Sequence, residues 1–228
     1  VAAMRDPELR RALLTETPEE GHPFNSLGRN WRWMYALDDP PNYAPPPEAS
    51  FAAIAEARGV TPEEVVYDRF LDTDGKGFFL AALGNYENGK LDAAHDMLVH
   101  PDCVPALGDG GAHYGAICDA SYSTFLLTHW VRDKAEGRID LASAVHMLAA
   151  KSARAVGLND RGTLRVGAKA DLNVIDLDRL RLHVPEIVRD LPAGGRRLDQ
   201  KATGYDATIV SGTIIRRHDQ STGARPGS

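Results

Sequence analysis

Cysteine is nearly absent from this chain: only Cys103 and Cys118 occur, with no Cys-x-x-Cys pair. That usage excludes a disulfide-stapled scaffold and suits a reduced, cytoplasmic setting. Positive charge is also in short supply. Against 32 Asp and Glu stand 26 Lys and Arg, a net charge of −6, which argues against nucleic acid or an anionic membrane as partner. Long apolar runs are missing too. The best candidate, residues 141–150, is too short to span a bilayer and is broken by His146. The opening VAAMRDPELRR lacks the basic-then-apolar order of a secretory signal, and there are no internal repeats or low-complexity tracts.

What is present is ordinary globular material, with 43% hydrophobic residues in 228, enough for one large or two small cores. Asp6-Pro7-Glu8 reads as the start of a helix over residues 6–16, and Thr61-Pro62-Glu63-Glu64 as a capping box opening another. A helix is expected from about Glu48 to Arg58, closed by Gly59, and further helices over residues 90–99, 122–134 and 141–156. Apolar stretches at residues 32–37, 78–83 and 104–107 read as short strands. Beyond Gly157 the pattern turns to strands, with one at residues 171–176 and a hairpin over 207–216 turning at Ser211-Gly212. The expected class is α/β, with a helix-rich part over residues 1–156 and a β-rich part over 157–228.

One stretch combines chemistry with flexibility. GDGGAHYGAICDAS, residues 108–121, places Asp109 and His113 among glycines immediately after the apolar residues 104–107. A carboxylate at the C-terminal end of a strand sits where α/β folds bind ligands. Gly110 and Gly111 would let the backbone approach a metal or substrate closely. On spacing alone Asp109 is open to three readings: a metal ligand, a general base, or a turn residue capping nearby amides. His113 could reach a substrate group from the same loop.

ALGDGGAHYGAICDASYSTFLLTHW resembles the segment after the last barrel strand in the amidohydrolase superfamily, and within it the N-acyl-D-amino-acid deacylase group (D-aminoacylase-like, amidohydrolase family 3). GTLRVGAKADLNVIDLD, residues 162–178, resembles the superfamily's Gly-x-(Leu/Ile)-x-x-Gly-x-x-Ala-Asp-Leu motif. VSGTIIRRHDQSTGARPGS resembles its closing tail. The resemblance implies the C-terminal part of a (β/α)8 TIM-like barrel over residues 1–156, and strands of a small composite β-sandwich over 157–228. It implies hydrolysis of a linear amide such as an N-acyl-D-amino acid, with a divalent metal, zinc in the first place, polarising the carbonyl. Asp109 matches the family's metal-binding and proton-shuttling aspartate, and His113, with Gly110 and Gly111, would contact substrate.

The chain departs from that pattern in having no His-x-His. Its histidines are His22, His95, His100, His113, His129, His146, His183 and His218. The expectation is therefore a C-terminal portion that alone holds no zinc in catalytic geometry and is inactive. It would be completed by an N-terminal segment or a partner chain, or would self-associate through open strand edges. The small-molecule substrate would be an amide, with neither nucleic acid nor membrane as partner. Two alternatives stand beside this: a cyclic amide hydrolase of the dihydroorotase or hydantoinase kind, and a non-catalytic split subunit.

The remaining candidates read as structural. Residues 72–77, DTDGKG, lack the later ligands of a calcium loop and read as a turn. His95 and His100 belong to a surface or helix end, His129 and His146 to a core or interface, and Trp31, Trp33 and Tyr35 to a strand packed on a core. Cys118 has no base beside it to make it a nucleophile. Asp119 is expected to cap the helix starting near Ser121, and Arg196-Arg197 to be a solvated pair in a loop.

Overall fold

The computed structural model describes residues 1–16, 28–107 and 113–227. The chain divides into two compact units, Val1–Asp96 and Met97–Ser228. Helices and strands occur in both, so the mixed α/β class holds.

In the first unit, helix α1 spans Pro7–Thr15, and the Asp6 carboxylate accepts from the amides of Glu8 (2.8 Å) and Leu9 (3.0 Å). Strands β1 (Met34–Leu37) and β2 (Phe78–Ala81) pair antiparallel, with Tyr35 opposite Leu80. Trp31–Trp33 forms a tight helical turn before β1, so Trp33 does not share a strand face with Tyr35 as the alternation suggests. Helix α2 covers Phe51–Arg58. It starts later than Glu48 because the Ser50 hydroxyl, not a carboxylate, caps the Ala53 amide, and it ends on left-handed Gly59.

Helix α3, Pro62–Asp72, carries the expected capping box. The Thr61 hydroxyl accepts from the Glu64 amide and the Glu64 carboxylate accepts from the Thr61 amide. Helix α4 covers Asp92–Val99.

The first core forms where α2 and α3 face the two-stranded β1-β2 sheet. Phe51, Ala55 and Val65 are buried, with Trp31, Met34 and Phe79 packed against them. Phe51 meets Phe79 edge-on at 5.1 Å, and the Trp31 indole donates to Glu63 at 3.2 Å. Trp31 and Tyr35 are thus core residues. Arg10 lies over the Tyr67 ring and pairs with Asp68, joining α1 to α3. Residues 72–77 form a turn, with the Gly75 amide returned to the Phe70 carbonyl at 2.8 Å.

In the second unit, helix α5 runs over residues 122–133, α-helical at Tyr122–Phe125 and π-helical at Leu126–Asp133. Its Leu126, Leu127 and Trp130 are buried. Helix α6 runs over residues 141–155, capped by Asp140 on the Ser143 amide, with a π-helical middle at Met147–Lys151. The strands that follow are β3 (Leu172–Ile175), β4 (Arg181–Leu182), β5 (Glu186–Leu191), β6 (Gly195–Asp199), β7 (Ala202–Thr203), β8 (Tyr205–Val210), β9 (Thr213–Arg217) and β10 (Gln220–Ser221).

These strands make a four-stranded sheet, β10-β9-β8-β3, and two ribbons, β4-β7 and β5-β6. Every strand pair among the described residues is antiparallel. Residues 104–107 join no strand. Their apolar character suits an extended segment, but no ladder partner stands beside them among the described residues.

The β8-β9 hairpin turns where expected, with Ser211 at φ +48° and Gly212 at φ +78°. Asp171 ties that turn to β3: its carboxylate accepts from the Ser211 amide at 2.8 Å and from Arg161 at 3.0 Å. The Ala-Asp-Leu motif and the hairpin turn are therefore one construction. Arg132 of α5 donates to the carbonyls of Leu177 (2.5 Å) and Leu180 (2.6 Å), seating the helix on the chain before β4.

Two predictions follow from this packing. Glu64 sits below its ordinary pKa, chiefly because it accepts from the Thr61 amide and hydroxyl. A carboxylate depressed by folding contributes stability above its unfolded value and loses it as pH falls through the folded one. Acid unfolding of Glu64→Gln should therefore show a shallower loss of stability below the ordinary glutamate range than the parent chain. Gly204 is at φ +104°, and a Cβ there would lie 2.6 Å from the Leu180 Cα and 2.8 Å from its nitrogen. Gly204→Ala should cost more than about 2 kcal/mol, read as a lowered urea midpoint.

Candidate functional site

Asp109, Gly110 and Gly111 lie outside the described residues. The chain is described again from His113, an exposed residue at φ +56°. Its carbonyl accepts from the amides of Ala116 (2.8 Å) and Ile117 (2.9 Å), so the exit of the glycine loop is a compact, internally bonded turn. The carbonyl of the next residue, Tyr114, accepts from the amide of Leu198 on β6 at 2.7 Å. That bond links the loop exit to the β-rich part, 84 residues further along the chain.

Strand β6 is held by a cluster that the sequence reading placed in a solvated loop. Arg197 donates to both carboxylate oxygens of Asp190 (2.9 and 2.8 Å) and to Asp199 at 2.9 Å. Its Nη1 also reaches the Leu198 carbonyl at 3.2 Å. The geometry follows from the two-residue period of strands. Arg197 is opposite Val188, so Asp190 is its diagonal neighbour across the ribbon and Asp199 its neighbour along the strand. The guanidinium holds the Asp190 carboxyl below its ordinary pKa through these hydrogen bonds. Both residues thus lie on a strand rather than in a loop, and Arg197 fastens the hairpin while Arg196 is exposed.

Between this hairpin, the start of α5 and the four-stranded sheet lies a cavity of about 760 Å³, lined by Tyr114, Cys118, Thr124, Arg197, Asp199 and Tyr205 among others. The Thr124 and Tyr205 hydroxyls are bonded across it at 2.7 Å. Cys118, half-buried in its wall, has its thiol pushed above the ordinary value, first by burial and then by Asp199 and Asp119, against the opposing pull of Arg197. A raised thiol is a poor nucleophile, in keeping with the structural reading of this residue. Both cysteines are free thiols.

Asp119 corrects an expectation. It begins a tight helical turn, Asp119–Ser121, and its backbone carbonyl, not its carboxylate, accepts from the Tyr122 amide. Neither that turn nor the helix that follows it has a side-chain cap. His129 is half-buried and stacked on Phe125 at 4.8 Å, with its pKa lowered by burial and then by Lys134. His146 is not a core residue: it is exposed beside Arg154, with ring and guanidinium nitrogens 2.6 Å apart, since the buried face of α6 falls on Ala144, Met147 and Ala150. His100 accepts from the Asp102 amide with its ring at the end of α4.

Among the described residues no three His, Cys, Asp or Glu side chains converge to hold a metal ion. No helix among them is long and apolar enough to cross a membrane.

The profile of the amidohydrolase family matches residues 42–216, well over half of the chain. The chain belongs to the amidohydrolase family. Two solved structures are similar over 84% of this chain and 36% of their own length, each with a TM-score of 0.42. One, at 19% identity, is a D-aminoacylase carrying an aspartate-to-alanine substitution, in complex with copper chloride. The other, at 18% identity, is a D-aminoacylase studied for its binuclear metal centre, with one-metal activation and second-metal attenuation. This amidohydrolase chain thus spans about a third of the length of the solved structures it matches. Among curated proteins nothing matches.

The environment of Cys118 makes a measurable difference. Its alkylation by iodoacetamide at pH 8 should run at least roughly threefold slower than that of a free thiol. Asp199→Asn should speed it, because one of the charges opposing the thiolate is removed.

Proposed function

We propose that this chain is part of a metal-dependent hydrolase of linear amides, with N-acyl-D-amino acids as the substrate class. The observation that carries the reading is the family match over residues 42–216, which encloses the whole Asp109–His113 loop. The substrate class comes from the resemblance of residues 106–130, 162–178 and 210–228 to D-aminoacylase-like sequences.

In this reading Asp109 is the working carboxylate. It takes a proton from the attacking water and returns it to the departing amine, so the reaction balances as one water consumed and one carboxylate and one amine released. Proton transfer by a well-placed side chain contributes roughly 10²–10⁴ in rate. Gly110 and Gly111, having no Cβ, let substrate lie close to the backbone. His113, exposed at the loop exit, supplies a ring nitrogen for the substrate's carboxylate.

A divalent metal, zinc in the first place, would polarise the amide carbonyl when bound, with Asp109 as one of its ligands. The described residues do not fit a metal by themselves, and a catalytic zinc ordinarily takes three protein ligands.

The test is a comparison of the 228-residue chain with the complete protein on a panel of N-acyl-D- and N-acyl-L-amino acids, with metal content measured on both. The short chain should hold no stoichiometric zinc and release no amino acid. In the complete protein Asp109→Asn should lower kcat by roughly 10²-fold or more. Hydrolysis by the short chain, or full activity in the Asp109→Asn protein, would overturn the reading.

A further inference from the structure

Asparagine followed by glycine occurs once in this chain, at Asn88-Gly89. Both residues are left-handed, Asn88 at φ +50° and Gly89 at φ +74°. They form the two-residue turn between Glu87 and Lys90, whose main chains exchange hydrogen bonds of 3.0 and 2.9 Å. A turn with two left-handed central residues favours asparagine and glycine there. Gly89 is compelled a second time, because a Cβ on it would lie 2.3 Å from the Trp33 ring. Just before the turn, the Tyr86 hydroxyl donates to the Tyr43 carbonyl at 2.5 Å, which anchors the approach.

Asn88 is exposed. Among the described residues neither its carboxamide nor the Gly89 amide has a hydrogen-bond partner. The side-chain carbonyl carbon of Asn88 is an electrophile, and the Gly89 nitrogen is a nucleophile within reach of it once the backbone turns. Gly89 has no side chain to shield that nitrogen. The fold therefore fixes a reactive dipeptide at a place where neither partner is otherwise engaged.

We propose that Asn88 is a site of spontaneous deamidation, with the 87–90 turn and Trp33 setting its rate. The Gly89 nitrogen gives up its proton and bonds to the Asn88 side-chain carbon. The carbon–nitrogen bond of the carboxamide breaks, and ammonia leaves with that proton. Water then opens the succinimide at either carbonyl, giving aspartate or isoaspartate at position 88. One water is consumed, one ammonia is released, and nothing is oxidised or reduced. In a left-handed residue the following nitrogen and the side chain stand apart across the Cα–C bond, so ring closure waits for the turn to open. Isoaspartate has one more carbon in its main chain and cannot close the same turn against Trp33. The reaction uses no residue of the Asp109–His113 loop, so it stands apart from the hydrolase reading.

The complete protein, incubated at mildly alkaline pH and mapped by peptide mass spectrometry, tests this, with the free peptide of residues 83–93 as the unrestrained reference. Asn88 should convert while Asn42, Asn159 and Asn173, followed by tyrosine, aspartate and valine, stay amides. Conversion should run roughly 30-fold slower than in the free peptide, the factor supplied by two net main-chain hydrogen bonds. Trp33→Ala should speed it at least roughly fivefold towards the peptide rate, although the reactive pair is untouched. Where Trp33→Ala does not fold, Trp33→Phe should give a smaller acceleration. Val65→Ala, which loosens the first core away from the turn, should leave the rate unchanged. An Asn88 that converts no faster than the other asparagines overturns the proposal, as does a parent rate equal to that of the peptide. Folded Trp33 variants with an unchanged rate, or equal acceleration by Val65→Ala, overturn the control by Trp33.

Discussion

One main-chain hydrogen bond, from the Leu198 amide to the Tyr114 carbonyl, carries more of this unit's organisation than its size suggests. Net stabilisation from such a bond is modest, about 1 kcal/mol. Its importance is geometric. A loop rich in glycine has the most conformational freedom to lose on ordering, and the cheapest way to restrict it is to fix its ends. The exit end is fixed here by a strand whose own fastening, the Arg197 clamp, is electrostatic and directional. The turn over residues 113–117 is thereby tied to a hairpin 70 or more residues downstream.

The helices were legible because their signals are local. Asp6, Thr61 and Asp140 each sit where a side-chain oxygen can reach an amide two or three residues ahead, and all three do so, whereas the Ser50 cap went unread and the helix start was set at about Glu48 rather than at Phe51. Local chemistry decides these ends, and no distant residue needs to agree. The β8-β9 hairpin was legible for a related reason, since Ser211-Gly212 takes the positive φ that a tight turn between twisted strands requires. The β5-β6 ribbon escaped notice although Pro192-Ala193-Gly194-Gly195 punctuates it. Its flanks, Glu186–Leu191 and Gly195–Asp199, carry too many charges to read as strands by apolar alternation. What holds them is the diagonal pairing of Arg197 with Asp190, visible only once the register is known. Residues 104–107 failed in the opposite sense: apolar character permits a strand, but a strand exists only beside a partner.

Of the candidate site the sequence marked the place rather than the geometry. His113 opens the closed turn over residues 113–117 with a left-handed backbone. Burial and two nearby carboxylates oppose the Cys118 thiolate, while the cap expected of Asp119 is not formed by its side chain. Arg197 was misjudged because a charge run most often faces water, and nothing in the local string says that two aspartates, seven residues before and two after, will enclose it.

The arginine clamps also account for how an acidic chain arranges its few cations. Exposed ion pairs contribute little one at a time, yet Arg161, Arg179 and Arg197 each bind two aspartates, and each joins chain segments that main-chain ladders leave separate or only partly paired. Arg161 fixes the foot of β3 through Asp171, Arg179 joins the end of β3 to Asp206 on β8, and Arg197 closes β5 on β6. The β-rich region has short strands and half-exposed faces, so burial alone specifies its registers weakly. Fork-and-carboxylate contacts supply the missing specificity, because a slip of one residue would send each partner to the opposite face. Of the three, Arg197 also lines the cavity beside Tyr114, so the fastening of the β5-β6 ribbon forms part of that wall.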